Sequence, residues 1–237
     1  MGPQYRSLIS VAALLLCFAL RAQDVSLTPF GAAWKYRDTG SNQGTAWRAT
    51  GFNDAAWASG PAELGYGDGD EATVVSYGPN ASAKYITTYF RKTLTIPDVL
   101  AFAGYRLTVK RDDAFVVYIN GTEVMRQNFN EGIIAYTTVA YQSISDGDEP
   151  KLLRQVLTPS QFANGTNTIA VEMHQNAGTS SDLSFNLELM GLDTTPSLFR
   201  ALYLQAATPN SIVVKWKTDV PTDSRVRGEV RRFAERS

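Results

Sequence analysis

The sequence predicts an all-β protein, an antiparallel jelly-roll sandwich followed by a truncated sandwich of immunoglobulin type. Three observations carry that prediction. Asn120-Gly121 stands between the β-rich runs 115–119 and 122–126, and Asn-Gly in such a place is a strong hairpin signal, because both residues tolerate the positive φ of a type I′ turn. Leu183, Phe185, Leu187 and Leu189 alternate with Ser184, Asn186 and Glu188, the period of a strand with one buried face. No convincing amphipathic helix separates the roughly eight to ten β-like runs, which is the pattern of a sheet-on-sheet fold.

In chain order, residues 1–23 read as a secretory leader. Arg6 precedes the apolar run from Leu8 to Leu20, and Ala19 and Ala22 supply small residues near a cleavage point; the run is short for a membrane span. Leu16 before Cys17 is not the small residue that a lipidation site needs, and Cys17 is the one cysteine of the chain. The mature chain is then exported without disulfides, stabilised by its core and, in one reading, by a metal ion.

Residues 24–191 form the predicted sandwich. Asp24 to Arg37 is read as one strand, and Gly44 to Glu71 as a long ordered loop pinned by Trp47, Phe52, Trp57 and Tyr66. Lys84 to Ile96 alternates and is stopped by Pro97. Tyr105 to Gln127 holds three strands, the last two joined at Asn120-Gly121; both faces of 115–119 are apolar, which marks a central strand needing cover on two sides. Ile133 to Ala140 is read as a strand, Ser145 to Pro150 as a turn and Lys151 to Leu157 as a strand. A helical turn at Pro159 to Ala163 follows, then a tight turn at Asn164-Gly165, and two strands at Thr168 to His174 and Leu183 to Leu189. Residues 192–198 suit a linker. Residues 199–237 supply three further strands, 201–206, 211–217 and 224–230, too few for an immunoglobulin-like sandwich of about seven.

Composition narrows the function classes. Lys plus Arg number 22 against 23 Asp plus Glu, without the clustered basic face of a nucleic-acid binder. No membrane partner is expected after leader cleavage. There is one histidine, His174. It cannot supply a two-metal phosphoesterase centre, and no nucleophile elbow accompanies it, so the chain is expected to be no enzyme.

Two stretches resemble known families. The segments RDDAFVVYINGTEV (111–124) and AVEMHQNAGTSSDLSFNLEL (170–189), with the Trp-rich stretch from Trp34 to Gly69, together resemble the galactose-binding-like jelly-roll modules of large secreted bacterial proteins. That resemblance implies a non-catalytic accessory domain with glycans or a cell-surface polysaccharide as ligand. The segment LYLQAATPNSIVVKWKTDVPTDSRVRGEV (202–230) resembles the first strands of the fibronectin III-like N-terminal domain of purple acid phosphatases. It implies a parent metallophosphoesterase with downstream domains, although the turn that usually follows the third strand of that domain is missing.

The candidate ligand-binding residues are Trp47, Trp57, Tyr66 and His174. The two tryptophans and the tyrosine are either a sugar-stacking platform or plugs beneath the loop, and His174 either meets a ligand or orders the 175–182 loop by hydrogen bonds. The candidate calcium ligands are Asp68 and Asp70, Asp112 and Asp113, and Asp146 and Asp148. Acidic residues spaced by glycine can wrap a hard cation, though none of the three clusters has EF-hand spacing; Asp112-Asp113 also resembles the paired aspartates of some calcium-dependent lectin sandwiches. Three readings stay open: a secreted glycan- or surface-binding accessory module, the leading fragment of a purple acid phosphatase-like enzyme, and a structural spacer.

Overall fold

The structure, a computed structural model, describes residues 23–144 and 152–193 in full and the backbone of 198–208 and 211–218. The predicted leader, the 145–150 turn and the predicted strand at 224–230 lie outside the described residues. The chain divides into two compact units, one spanning residues 23–196 and the other holding the last two described strands.

The larger unit is a two-sheet β-sandwich. Its strands are β1 (Val25–Thr28), β2 (Ala33–Arg37), β3 (Ala58–Pro61), β4 (Leu64–Tyr66), β5 (Thr73–Val74), β6 (Thr87–Ile96), β7 (Phe102–Asp112), β8 (Ala114–Ile119), β9 (Thr122–Gln127), β10 (Leu153–Leu157), β11 (Gly165–His174) and β12 (Leu183–Asp193). One sheet has the order β10-β7-β12-β4-β5, with β1 also paired to β12, and the other has the order β3-β2-β6-β11-β8-β9. All pairings are antiparallel except β4 with β5. From β5 to β12 the chain changes sheet at every step except the β8–β9 hairpin, the interleaving by which a jelly roll closes two layers on one core. In the smaller unit β13 (Leu198–Thr208) pairs antiparallel with β14 (Ser211–Thr218).

The predicted hairpin is present. Asn120 and Gly121 have φ of 52° and 89°, and Ile119 lies opposite Thr122, with a bulge between Val117 and Tyr118. Period two places Phe115, Val117 and Ile119 with Ile169, Val171 and Met173 of β11 in the interior. Leu183, Phe185, Leu187 and Leu189 face them from the other sheet. Phe185 stacks on Phe90 at 4.3 Å and meets Trp34 edge-on at 5.0 Å.

The other face of β8 is covered by the 44–57 segment. Trp47, which is fully buried, and Trp57 pack on Tyr89, Val116, Tyr118 and Ala170. Trp47 Nε1 donates to the Gly44 carbonyl. Arg91, buried beneath, donates from Nη1 to the carbonyls of Trp47 and Ala49 and from Nε to Asp54 at 2.8 Å. These rings are plugs.

Three element readings are corrected. The stretch from Asp24 to Arg37 is two strands in different sheets, split at Pro29 to Ala32, where Ala32 N bonds the Pro29 carbonyl and Gly31 has φ of 80°. The stretch from Gly44 to Glu71 contains a 3₁₀ turn at Ala46–Arg48 together with β3 and β4. The run from Ile133 to Ala140 joins no ladder: Ile134 and Tyr136 turn onto the tryptophan cluster, and Ile133 is exposed.

Removing the Trp47 side chain opens a cavity that the Arg91-clamped segment cannot close. Trp47→Ala is therefore expected to cost ~3–5 kcal/mol of unfolding free energy, read from urea denaturation. A loss under about 1 kcal/mol would mean that the plug does not carry this face.

Candidate functional site

Where β7 ends and β8 begins, the chain passes from one sheet to the other through a single residue, Asp113. Register fixes both sides of this corner: Asp112 lies opposite Ser184 on β12, and Ala114 lies opposite His174 on β11. Backbone groups leaving the ladders need new partners, and the carboxylate of Asp113 supplies them. Its Oδ1 accepts from Ile144 N at 2.7 Å and its Oδ2 from Asn176 N at 2.9 Å.

Three loop segments meet here. Lys84 N donates to the Gly178 carbonyl, and Lys84 Nζ reaches the Ser180 carbonyl. This ties the 75–86 segment to the 175–182 loop. The Lys84 ammonium lies 5.5 Å from the ring of Tyr77, which in turn packs edge-on to Tyr66 at 5.3 Å. The 67–71 loop joins through Asp68 Oδ2, which accepts from Ser184 Oγ at 2.6 Å. Gln175 is buried at the centre, donating from Nε2 to Tyr66 Oη at 2.9 Å and to the Asp182 carbonyl at 2.6 Å.

Carboxylates dominate this end of the sandwich. Exposed Asp68 neighbours half-buried Asp182, which neighbours buried Asp112, which neighbours buried Asp113. Burial, with Asp113 and Asp182 beside it, pushes the Asp112 carboxyl far above the usual carboxylate range. Burial likewise raises the Tyr66 hydroxyl, and the charges of Asp182, Asp112 and Asp113 add to the effect. Burial, Asp182 and Asp70 raise Asp68, against the Ser184 hydroxyl that favours its charged form.

A second acidic group lies beside it. Glu63, Asp68 and Asp70 offer oxygens within 4.8 Å of one another. Lys110 already stands among them, with Nζ 2.6 Å from Glu63 and 3.4 Å from Asp70. The chain thus supplies its own cation there.

The sequence-predicted residues divide between these places. Asp112 and Asp113 come together at the corner, Asp68 borders it, and Asp70 belongs to the group around Lys110; Asp146 and Asp148 lie outside the described residues. Trp47 and Trp57 are buried on the outer face of the other sheet, with no ring face open to solvent. A stacking platform needs such a face, so neither residue is placed to stack a sugar. Tyr66 is buried as well and takes part through its hydroxyl. His174 is fully buried, with Nδ1 donating to the Thr138 carbonyl at 2.7 Å and close to Thr87 Oγ1, and the ring edge-on to Phe129. It is an interior residue. Asp182, Gln175, Glu63, Tyr77 and Lys84 were not singled out from the sequence. The only sequence signal for Asp182 is its place directly before the best-patterned strand.

His174 Nε2 lies 3.4 Å from Glu172 Oε2, within a buried network on the outer face of β11. Glu172 Oε1 accepts from Tyr118 Oη at 2.6 Å and pairs with Arg48 at 3.2 Å. Burial alone would raise the Glu172 carboxyl, but His174, Tyr118 and Arg48 together hold it below its ordinary value of 4.5.

No protein-family model matches the chain, and no curated protein matches it. Several solved β-glucuronidases are similar in structure. One from an uncultured Clostridium sp. is 11% identical with a TM-score of 0.44, over 84% of this chain and 34% of that one. The Ruminococcus gnavus enzyme is 13% identical with a TM-score of 0.44, over 83% of this chain and 33% of that one. Bacteroides uniformis β-glucuronidase 2 is 14% identical with a TM-score of 0.45, over 83% of this chain and 26% of that one. The chain spans about a third or less of the length of these enzymes. At such identities and TM-scores the likeness carries no functional argument.

The Glu172 network sets a pH dependence. A carboxylate with a depressed folded-state pKa contributes stability that is fully present above its unfolded value and is lost as the pH falls through the folded-state value. Thermal midpoints of the wild type should therefore fall as the pH drops below about 4.5, the ordinary glutamate value. Glu172→Gln should be less stable at neutral pH and show a shallower acid limb; an unchanged limb would place the acid sensitivity elsewhere.

Proposed function

We propose that residues 24–191 are a non-catalytic binding module of a larger secreted protein, with a glycan or cell-surface polysaccharide as ligand. The observation that supports this reading best is the convergence of the 67–71, 75–86 and 175–182 segments at the Asp112-Asp113 corner. A rigid sandwich there presents a half-exposed aromatic, Tyr77, an ammonium, Lys84, and the carboxylates of Asp68 and Asp182 within one loop cluster. Sugars are recognised by this combination: apolar ring contact from an aromatic face, with hydroxyl groups met by a few fixed polar atoms. The ligand-contacting aromatic in this reading is Tyr77, and the tryptophans serve the fold.

A non-catalytic role agrees with the place of His174, the one histidine of the chain, which is engaged in the interior. Among the described residues no helix is long and apolar enough to cross a membrane. Secretion rests on the sequence of residues 1–23. A parent metallophosphoesterase rests on the sequence of residues 202–230, and its test is whether the reading frame continues into histidine-rich metal-binding loops.

The module reading is tested with the full chain on an array of bacterial and plant glycans, followed by titration of any retained glycan. Retention of a defined glycan class is expected, and Tyr77→Ala should weaken it about tenfold, the loss of roughly 1.4 kcal/mol of ring contact. Trp57→Ala should lower stability far more than affinity. An array with no retained glycan, or an affinity unchanged by Tyr77→Ala, would remove the glycan reading of this loop end.

A further inference from the structure

We infer that the loop end around Tyr77 selects glycans free of acidic groups: its carboxylates accept hydrogen bonds from sugar hydroxyls or from a sugar ammonium, and they repel uronate and sulfate. The inference rests on the binding-module reading of this loop end and names the class of glycan that it takes.

It begins with an imbalance of charge. In the 67–71, 75–86 and 175–182 segments the acids are Asp68, Asp70, Glu71 and Asp182, and the one base is Lys84. Close packing joins the first of these segments to the last: a Cβ on Gly67 would lie 2.7 Å from Asp182 Cβ and 2.8 Å from Asp182 Cα. Exposed Asp68 is held 2.6 Å from Ser184 Oγ, two residues beyond half-buried Asp182. Asp38 brings a further carboxylate to the residue before Tyr77, accepting from Ser76 N at 2.7 Å.

The one ammonium is committed to the protein. Lys84 Nζ donates to the Ser180 carbonyl and stands 5.5 Å from the Tyr77 ring centre and 6.0 Å from that of Tyr66, where the electron-rich ring faces attract it. Its backbone N–H is bonded to the Gly178 carbonyl, so the chain on which it stands is fixed as well. Lys110, beside Asp70, is taken in the same way by Glu63 at 2.6 Å. What these segments offer a ligand is a half-exposed tyrosine ring among carboxylate acceptors.

That offer decides between classes of sugar. An ionised carboxylate only accepts hydrogen bonds. A hydroxyl group or an ammonium donates to it, with the added strength of a charged acceptor. A uronate or a sulfate brings further acceptors and a charge of the same sign, so the preference is set by repulsion of the wrong class as much as by attraction of the right one. Charges on exposed loops act through solvent, and the preference therefore fades as salt shortens the screening length, from about 10 Å at 0.1 M to about 3 Å at 1 M.

The test titrates the full chain by calorimetry with matched probes: neutral gluco-, galacto- and manno-oligosaccharides, the same oligosaccharides oxidised at C6 to uronates, and chitosan oligosaccharides. At low salt a neutral or amino form should bind at least about tenfold more tightly than its uronate, and the gap should narrow in about 1 M sodium chloride. The double variant Asp68→Asn/Asp182→Asn, with its fold checked by thermal unfolding, should narrow the gap at low salt by raising uronate affinity. Tyr77→Ala should weaken neutral and uronate forms by the same factor, because it removes ring contact and no charge. Lys84→Gln should leave the neutral forms preferred. The inference is overturned if uronates bind as tightly as their neutral counterparts or more tightly, the result expected if the Lys84 ammonium meets the ligand, or if the double variant leaves the ratio unchanged. Uronate-led binding that Tyr77→Ala weakens would defeat this inference alone and leave the module reading standing. Failure of every probe and of the glycan array would remove the module reading, and this inference with it.

Discussion

The fold depends on β8, in which every residue is buried. An antiparallel strand with no face toward water must be covered twice, and the two covers differ in kind. The second sheet covers the side of Phe115, Val117 and Ile119. The side of Val116 and Tyr118 is covered by an irregular segment carrying Trp47 and Trp57. Irregular chain lacks a ladder to fix it, so side-chain bonds must do so. Arg91 has that part: its guanidinium accepts no hydrogen bonds and offers several donors in one plane, and here it gathers the carbonyls of Trp47 and Ala49 and the carboxylate of Asp54.

Fixing β8 in the middle of one sheet also fixes the corner before it. β7 is bound on both sides in the other sheet, by β10 and β12, and one residue separates it from β8. The corner therefore has no slack. Peptide groups outside the ladders at this place turn to a side chain for partners, which accounts for Asp113 at a position that would otherwise be core. The 175–182 loop follows β11, the ladder neighbour of β8, and ends at β12, the ladder neighbour of β7. Its residues are thereby delivered to the same corner. Gln175 and Asp182, at the two ends of that loop, are the residues that meet there.

What the sequence disclosed follows from what period two reports. Leu183 to Leu189, Ile169 to Met173 and the Asn120-Gly121 hairpin were legible because alternation records which face is buried. β3 and β4 were not, because Ala58 to Pro61 and Leu64 to Tyr66 are short and rich in small residues. Their places are set by close approach: a Cβ on Gly65 would lie 1.9 Å from the Leu183 carbonyl oxygen. The run from Ile133 to Ala140 misled for the converse reason, since Ile134 and Tyr136 are spaced like a strand but cover an aromatic cluster. At the site, Asp112 and Asp113 were legible as adjacent residues. Asp182 reaches them only through the register of β12 on β7, a long-range pairing that composition and spacing do not encode. Trp47, Trp57 and Tyr66 were legible as important, but their type alone could not say whether they face ligand or core.

The weight of the Asp112 observation comes from how this protein treats its other buried charges. Glu172 is met by Arg48, the Tyr118 hydroxyl and His174. Arg91 has two carbonyls and Asp54, and Glu63 has Lys110 at 2.6 Å. In each case a partner of opposite charge comes from an element distant in sequence, so the fold can bring a cation to a buried carboxylate where one is needed. At the corner the donors, Ile144 N, Asn176 N and Ser180 Oγ, all go to Asp113. Asp112 differs in having acidic neighbours, Asp113 and Asp182, and together with burial they push its carboxyl far above the usual carboxylate range.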